Sequence, residues 1–128
     1  MPMTYRLHPT LPLILARVEG ELTLAHVRDY VRALRHEPRV TAEWCDLVEM
    51  AGMTSAITTV EWVAFRAWLE QYPAFPRSAI VALTDAEFGI ARMYELAARR
   101  KEGGVRVFRE RTEAIAWLGY TPDAVNSG

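Results

Sequence analysis

The sequence predicts an α/β fold built on one mixed, mostly parallel five-stranded sheet with crossover helices, in the order β-β-α-β-α-β-α-β-α. The first observation is an apolar periodicity that alternates along the chain between strand-like and helix-like segments. The second is that helical segments separate the later strands, and such crossovers join parallel strands. The third is the length of 128 residues, from which we expect residues 1–128 to form a single domain.

The first three elements are predicted over residues 5–36. Residues 5–8 and 13–19 have the pattern of two short strands, and Gly20 is expected to close the second. The short connection between them favours an antiparallel hairpin. Thr23 is a suitable N-cap for a helix to about residue 36, because Pro38 prevents its continuation.

The next strand is predicted over residues 44–50, followed by a loop over residues 51–57. Thr58 and Glu61 have the spacing of a capping box, in which each side chain accepts a free backbone N–H of the other residue. They predict a helix to about residue 72. Residues 78–83 are nearly all apolar, which is typical of a strand covered on both faces.

A second capping box begins at Thr84 and predicts a helix to about residue 101. The glycines at residues 103–104 are expected to turn the chain into a short strand over residues 105–108. Thr112 is expected to cap a last helix through residue 118. Residues 121–128 are expected to form a loose tail.

Several of these segments carry a resemblance to a known family. Two early strands, a Thr-capped helix, and the sequence Cys45-Asp46-Leu47 before a loop and helix look like the STAS fold of SpoIIAA-type proteins. Residues 88–94, 105–108 and 114–118 resemble a small bacterial family of about this length, described as STAS- or SpoIIAA-like. The resemblance covers nearly the whole chain and implies the same α/β fold.

The resemblance also implies a candidate modification site. In the STAS anti-sigma-factor antagonists, a partner kinase phosphorylates a serine or threonine after the third strand. The corresponding hydroxyls here are Thr54, Ser55 and Thr58, and a helix N-terminus beside them would favour a phosphate. The segment lacks the Asp-Ser-Ser-Gly pattern of those proteins. In the structural alternative, Thr58 is a helix cap and Ser55 is a solvated loop residue.

A second candidate site is a ligand or anion site formed by Asp46, Asp85, Gly89 and Arg92. Glycine inside a helix costs about 1 kcal/mol relative to alanine, and close approach of a ligand to the helix N-terminus would explain Gly89. Arg92, one turn further, would meet an anion. The structural alternatives are close packing at Gly89 and, for Asp46, local hydrogen bonds that end the strand.

The helix predicted to follow Thr58 has an unusually bulky apolar face. Trp62, Trp68 and Tyr72, with Phe75 in the loop after it, are predicted to form an interface, because aromatic residues are enriched at protein interfaces. The alternative is that most of this face belongs to the core, since a helix that lies on a sheet needs an apolar stripe.

The first predicted helix carries a narrow basic stripe of Arg28, Arg32 and Arg35 beside its apolar face. We expect the stems of these arginines to lie along the edge of the core while their charged heads stay in water. The alternative is that the stripe contacts an acidic partner or a phospholipid headgroup.

Composition excludes several classes of function. Fifteen Lys+Arg against sixteen Asp+Glu leave a net charge of −1, which argues against a nucleic-acid-binding domain. The one cysteine and three histidines lack metal-ligand spacing, and no nucleotide-binding motif occurs, so we expect neither metal nor cofactor. No stretch is long and apolar enough to span a membrane, and the first residues lack a signal-peptide pattern. We therefore expect a cytoplasmic location.

These observations lead to one functional hypothesis and one alternative. We expect a non-enzymatic, STAS-like regulatory domain that contacts a protein partner and forms a homodimer. The alternative is a small-molecule or lipid-binding module that uses an apolar pocket near the carboxyl edge of the sheet. An enzyme would require a cleft that joins Asp46, Asp85, Arg92 or a hydroxyl across the strand ends, and spacing alone does not predict one.

Overall fold

The computed structural model describes residues 2–72, 76–98 and 104–128. Within these ranges the chain forms five strands and five helices. In chain order they are β1 (Met3–Leu7), β2 (Leu13–Leu22), α1 (Leu24–Arg35), β3 (Cys45–Ser55), α2 (Thr59–Leu69), β4 (Ser78–Val81), α3 (Asp85–Ala97), β5 (Val105–Phe108), α4 (Arg111–Trp117) and α5 (Pro122–Asn126).

The strands lie side by side in the order β1-β2-β3-β4-β5. The first pair, β1 and β2, is antiparallel, and the pairs from β2 to β5 are parallel. Helices α1, α2 and α3 connect the parallel strands in turn. The predicted mixed, mostly parallel sheet with crossover helices is confirmed.

The helix starts follow local sequence signals in three of four predicted cases. Thr23, Thr58 and Thr84 each cap a helix, and each side chain accepts the backbone N–H three residues later. The predicted cap at Thr112 is wrong, because α4 already begins at Arg111 and its N-cap residue makes no side-chain hydrogen bond. Helix α3 ends at Ala97, and residue 103 of the predicted glycine turn lies outside the described residues.

The two longest strands extend further than the sequence predicts. Gly20 does not end β2, which continues to Leu22, and β3 runs through residues 51–55 of the predicted loop. The register between β2 and β3 shifts after Val18, and Gly20 and Gly52 both have φ of +71°. A bulge with two glycines in the left-handed region keeps the strands paired where a loop was expected.

The helices divide between the two faces of the sheet. In β3, Val48 and Met50 belong to the core formed with α1, α2 and α3, while Cys45 and Leu47 belong to the core formed with α4 and α5. Helix α2 packs mainly against α1 and α3 rather than on the sheet. It therefore covers the space between those two helices.

The expected loose tail is wrong, because residues 122–126 form α5 and Val125 is only 1% exposed. The ring of His8, which is fully buried, holds this helix. Its Nε2 lies 3.0 Å from the carbonyl oxygen of Val125, and its Nδ1 accepts the backbone N–H of Leu11 at 3.1 Å. A contact between the two ends of the chain thus holds a helix that its own sequence indicates only weakly.

Candidate functional site

The three candidate phosphoacceptors lie at the carboxyl edge of the sheet. Thr54 is exposed near the end of β3. The Ser55 hydroxyl accepts the backbone N–H of Ile57 at 3.1 Å, and the Thr58 hydroxyl accepts that of Glu61 at 3.2 Å. Thr54 and Ser55 therefore lie in a strand rather than a loop, and the hydroxyls of Ser55 and Thr58 both support local backbone.

Glu87 occupies the natural anion position at this edge. One carboxylate oxygen accepts the backbone N–H groups of Gly52 at 3.0 Å and Met53 at 3.2 Å, both in the bulged part of β3. The other accepts the backbone N–H of Thr84 at 3.2 Å, which completes the capping box of α3. The sequence predicted the box but not the link to β3, because that link depends on which strand lies beside α3.

Hydrogen bonding keeps the Glu87 carboxylate ionised. Burial by itself would raise the pKa of Glu87, but the N–H groups of Met53, Thr84 and Gly52 outweigh it and lower the pKa below its ordinary value. The start of α3 and the bulge of β3 thus already share one negative charge. A phosphate placed between them would have to displace it.

The other candidate anion ligands on α3 are exposed and engaged with neighbours. Asp85 accepts a hydrogen bond from the Arg109 guanidinium at 2.9 Å, and Arg92 forms an ion pair with Glu95. A Cβ atom at Gly89 would meet no heavy atom within 4 Å, so close packing does not explain that glycine. Nothing in the described structure requires glycine at this position.

Asp46 lies at the opposite end of the sheet, near the start of β3, in register with Ser78 at the start of β4. The structure therefore does not bring it together with the other three candidates. Its side chain is buried, and the Tyr30 hydroxyl donates to Oδ2 at 2.8 Å. In the part of the chain that the structure describes, Oδ1 has no hydrogen bond of normal geometry.

Burial raises the pKa of Asp46. The Ser78 hydroxyl lies close enough to favour the charged form, as do the Tyr30 hydroxyl and the positive charge of Arg35, but together they offset only part of the effect of burial. A carboxylate in this position is costly for the folded state near neutral pH.

A cavity lies beside Asp46 between the sheet and helices α1, α2 and α3. Its volume is about 40 Å³, and its lining includes Tyr30, Trp62 and Tyr94. One buried water needs at least about 10–15 Å³ on this scale, whereas ligand pockets occupy roughly 300–1,000 Å³. The cavity has room for a few water molecules but not for a lipid.

The aromatic face of α2 divides between core and surface. Trp62 and Phe65 are 5% and 0% exposed, so Trp62 belongs to the core rather than to an exposed interface. Trp68 and Tyr72 are half-buried, and their ring centroids lie 5.0 Å apart. Phe75, the fourth predicted interface residue, lies outside the described residues.

The arginine stripe of α1 covers these half-buried rings. The guanidinium carbons of Arg28 and Arg32 lie 5.5 and 5.3 Å from the ring centroid of Trp68, and that of Arg35 lies 6.0 Å from the centroid of Tyr72. Such cation–π contacts stabilise by about 0.5–1 kcal/mol each at exposed sites. The arginine stripe of α1 and the half-buried rings of α2 therefore contact each other where these two helices pack.

The outer face of α2 (Val60, Val63, Ala64 and Ala67) is a surface that the sequence analysis missed. Val60 and Val63 are 79% and 67% exposed, and both alanines are also exposed. Their spacing of i, i+3, i+4 and i+7 places them on one side of a helix. The sequence signal for this surface was that α2 is apolar on two sides, whereas a helix that packs against a single core needs an apolar face on one side only.

A groove between α2 and α3 continues this apolar surface. Its volume is about 140 Å³, and its lining includes Val63, Arg66, Met93 and Leu96. Leu96 is itself 48% exposed. The outer face of α2 and this groove together form a contiguous, largely apolar surface with Arg66 beside it.

The described ranges hold neither a cluster of metal ligands nor a membrane-spanning helix. Residues 2–72, 76–98 and 104–128 contain no group of three or more His, Cys, Asp or Glu side chains placed to hold a metal ion. Among the helices in these ranges, none has the length and apolar character needed to cross a membrane.

The mixed sheet and its crossover helices define a small α/β domain of the SpoIIAA-like type. A solved structure of an uncharacterized protein from the DUF3478 family of Shewanella loihica PV-4 has a SpoIIAA-like fold and is similar to this chain. The match has a TM-score of 0.60 and 16% sequence identity, and it covers 91% of this chain and 93% of that chain. The model of the SpoIIAA-like family matches residues 13–119, and the chain belongs to this family. No curated protein matches.

Proposed function

We propose that this chain is a non-enzymatic regulatory domain that works in the cytoplasm by docking a protein on the outer face of α2. The exposed, apolar outer face is the observation that carries the proposal, with Val60 and Val63 79% and 67% exposed. A helix that is apolar on both sides is normally covered on both sides. The core covers one side of α2, and a protein partner would cover the other.

The two valines and the two alanines would supply the apolar contacts of this interface. Full burial of a valine side chain contributes about 1.5–3 kcal/mol. Ala64 and Ala67 are small, so they allow a second helix to approach to the roughly 8–10 Å typical of packed helices. Glu61 and Arg66 lie on the same helix and supply the polar rim that protein interfaces have.

We take a second copy of the chain as the first partner to test. Most soluble oligomers are symmetric, and a two-fold interface uses the same patch on both subunits. In such a dimer the outer faces of two α2 helices would pack together about the two-fold axis, with the valines of one copy against the alanines of the other. This pairing makes the proposed homodimer and the proposed docking surface one hypothesis.

The test is sedimentation equilibrium of Val63→Asp beside the unchanged chain. We expect a dimer for the unchanged chain and a monomer for the variant, because a buried, unpaired carboxylate opposes association. Ala116→Asp is the matched control, since it adds the same charge to an exposed position on α4, across the sheet. It should leave the dimer intact, and thermal melts should show that both variants fold.

A monomeric unchanged chain would exclude the second copy as partner. A photo-crosslinking amino acid placed at Val63 in cells, and at Ala116 as control, then tests docking of a different protein. A protein captured at residue 63 and not at residue 116 supports the proposal. Identical captures at the two positions would overturn it.

A further inference from the structure

The cavity between the sheet and helices α1, α2 and α3 contains a carboxyl group that the fold satisfies only on one side. Asp46 lines this cavity and is 3% exposed. The Tyr30 hydroxyl donates to Oδ2, whereas Oδ1 is buried and accepts no hydrogen bond of normal geometry from the described residues. Buried polar atoms without a partner are rare in folded proteins, so this oxygen calls for an explanation.

Tyr30 fixes the carboxyl group but leaves it able to accept more. Burial, and then the negative charge of Asp46, raise the pKa of Tyr30 well above its ordinary value, so the hydroxyl keeps its proton and donates it. A tyrosine hydroxyl has a single proton to donate, while a carboxylate accepts several hydrogen bonds. Oδ1 is therefore left to accept a donor from a molecule in the cavity.

The rest of the lining suits a positive charge. Trp62 and Tyr94 form two walls, with ring centroids 6.1 Å apart and 71° between the ring planes. The faces of such rings attract cations that lie within about 6 Å of the ring centroid. Among the described residues that line the cavity, Asp46 is the one charged group. The positive charge of Arg35 reaches Asp46, but Arg35 is not part of the lining.

The size of the cavity limits what it can hold. A buried water needs at least about 10–15 Å³, so a cavity of about 40 Å³ admits a molecule the size of about three waters. Met3, Ile90 and Tyr94 in the lining are half-buried, which places the cavity next to the protein surface. A calcium ion is a poor fit, because it takes about six to eight oxygen ligands and this lining offers one carboxylate.

We propose that this cavity binds a small primary ammonium ion, with Asp46 as its counter-ion and the rings of Trp62 and Tyr94 as its walls. An ammonium group brings three donors and the charge that a buried carboxylate lacks beside it. A buried carboxylate with an unpaired oxygen is costly for the folded state, and proteins keep such groups where function needs them. The cavity lies on the core side of α2 and the docking surface on its outer side, so the two proposals can fail separately.

The test is titration of the isotope-labelled full chain with ethylammonium chloride, followed by the amide resonances in NMR spectra. Ethylammonium is small enough for the cavity and stays protonated at neutral pH, as alkyl ammonium groups do. Ionic strength is held constant with sodium chloride, because salt screens non-specific attraction. We expect saturable shifts in β3 and β4 around Asp46. Asp46→Asn should weaken binding by about tenfold or more, because the amide keeps the shape of the side chain but not its charge.

Asp123→Asn is the matched control, since it removes the same charge from an exposed position on α5, across the sheet. It should bind ethylammonium as the unchanged chain does, and a melting curve for each variant verifies that it is folded. Equal weakening by the two variants would overturn the proposal, because general attraction to the chain would then explain the binding.

Ethanol, which has nearly the size of ethylammonium but no charge, is the second probe. Tighter binding of ethylammonium than of ethanol supports the proposal. Equal binding of the two would overturn it, because the carboxylate would then not select a cation. Absence of saturable shifts around the cavity with ethylammonium would overturn it as well.

Discussion

Replacing Glu87 by alanine is expected to destabilise the fold more than any other change in a helix cap. The variant loses the capping box of α3 and leaves the backbone N–H of Met53, a residue 4% exposed, without its acceptor. Loss of a cap costs about 1 kcal/mol, and an unsatisfied buried donor costs about 1–3 kcal/mol. The N–H of Gly52 turns to water instead, because Gly52 is exposed. We therefore expect the free energy of unfolding to fall by about 2–4 kcal/mol.

Glu61→Ala provides the matched control for this measurement. Glu61 forms the same capping box at the start of α2, but it is exposed and its carboxylate bonds only Thr58 among the described residues. Its loss is expected to cost less than about 1 kcal/mol. In a chain of 128 residues, 1 kcal/mol shifts Tm by about 4 °C. Circular dichroism melts should thus show a fall of about 8–16 °C for Glu87→Ala and under about 4 °C for Glu61→Ala.

The pH dependence of the same variant tests the electrostatic part of the reasoning. Hydrogen bonds lower the pKa of Glu87 in the folded chain below its ordinary value of 4.5. The carboxylate's contribution is therefore present in full above pH 4.5 and is lost as pH falls through the folded pKa. The gap in stability between the unchanged chain and Glu87→Ala should narrow in acid. Equal melting temperatures for the two alanine variants near neutral pH, or a gap that does not change with pH, would refute this account.

Three further predictions concern buried polar groups. Asp46→Asn should stabilise the chain near neutral pH in urea denaturation, because burial raises the folded pKa of Asp46 and makes its ionised carboxylate unfavourable in the folded chain. This gain in the free energy of unfolding should disappear below pH 3.8, where Asp46 is protonated in both the folded and the unfolded chain. Burial raises the pKa of the Cys45 thiol to about 11, so iodoacetamide should label it near neutral pH only as fast as the chain opens, as followed by mass spectrometry with and without urea. His8→Phe keeps a ring but loses the bonds to the carbonyls at the end of α5, so amide exchange in α5 should accelerate by about tenfold while exchange in β3 is unchanged.

Each of these three predictions has an opposite result. Lower stability of Asp46→Asn near neutral pH would show that the fold favours the charged carboxylate. Rapid labelling of the native chain would show that the Cys45 thiol is accessible. Unchanged exchange of α5 in His8→Phe would show that packing of Val125, and not the histidine, holds the helix in place.

The features that the sequence predicted correctly depend on neighbours within a few positions. Thr58 and Glu61 satisfy each other's backbone within a single turn, so the start of α2 is encoded locally. The apolar run at β4 is likewise local, and all four residues of that strand are buried. The order of helices and strands up to α4 followed from such signals, and with it the prediction of a mixed, mostly parallel sheet.

The features that the sequence did not predict depend on partners far along the chain. Gly52 and the residues after it resemble a loop by composition, but pairing with β2 keeps them in a strand. The sequence around Glu87 indicates only a helix cap, because its hydrogen bond with β3 forms only when the fold brings that strand beside α3. The outer face of α2 was missed for a related reason, since periodicity shows that Val60 and Val63 are apolar but not which side the core covers.

The contact between His8 and α5 also bears on the order in which the chain folds. It joins groups 117 positions apart, and contacts so distant form late because a long loop must close first. During synthesis, the histidine emerges early but has no acceptor until residue 125 follows. We therefore expect the parallel strands to assemble first and the histidine ring to remain hydrated until then. Docking of α5 would complete folding, and reversal of that step would be the first opening that the native chain undergoes.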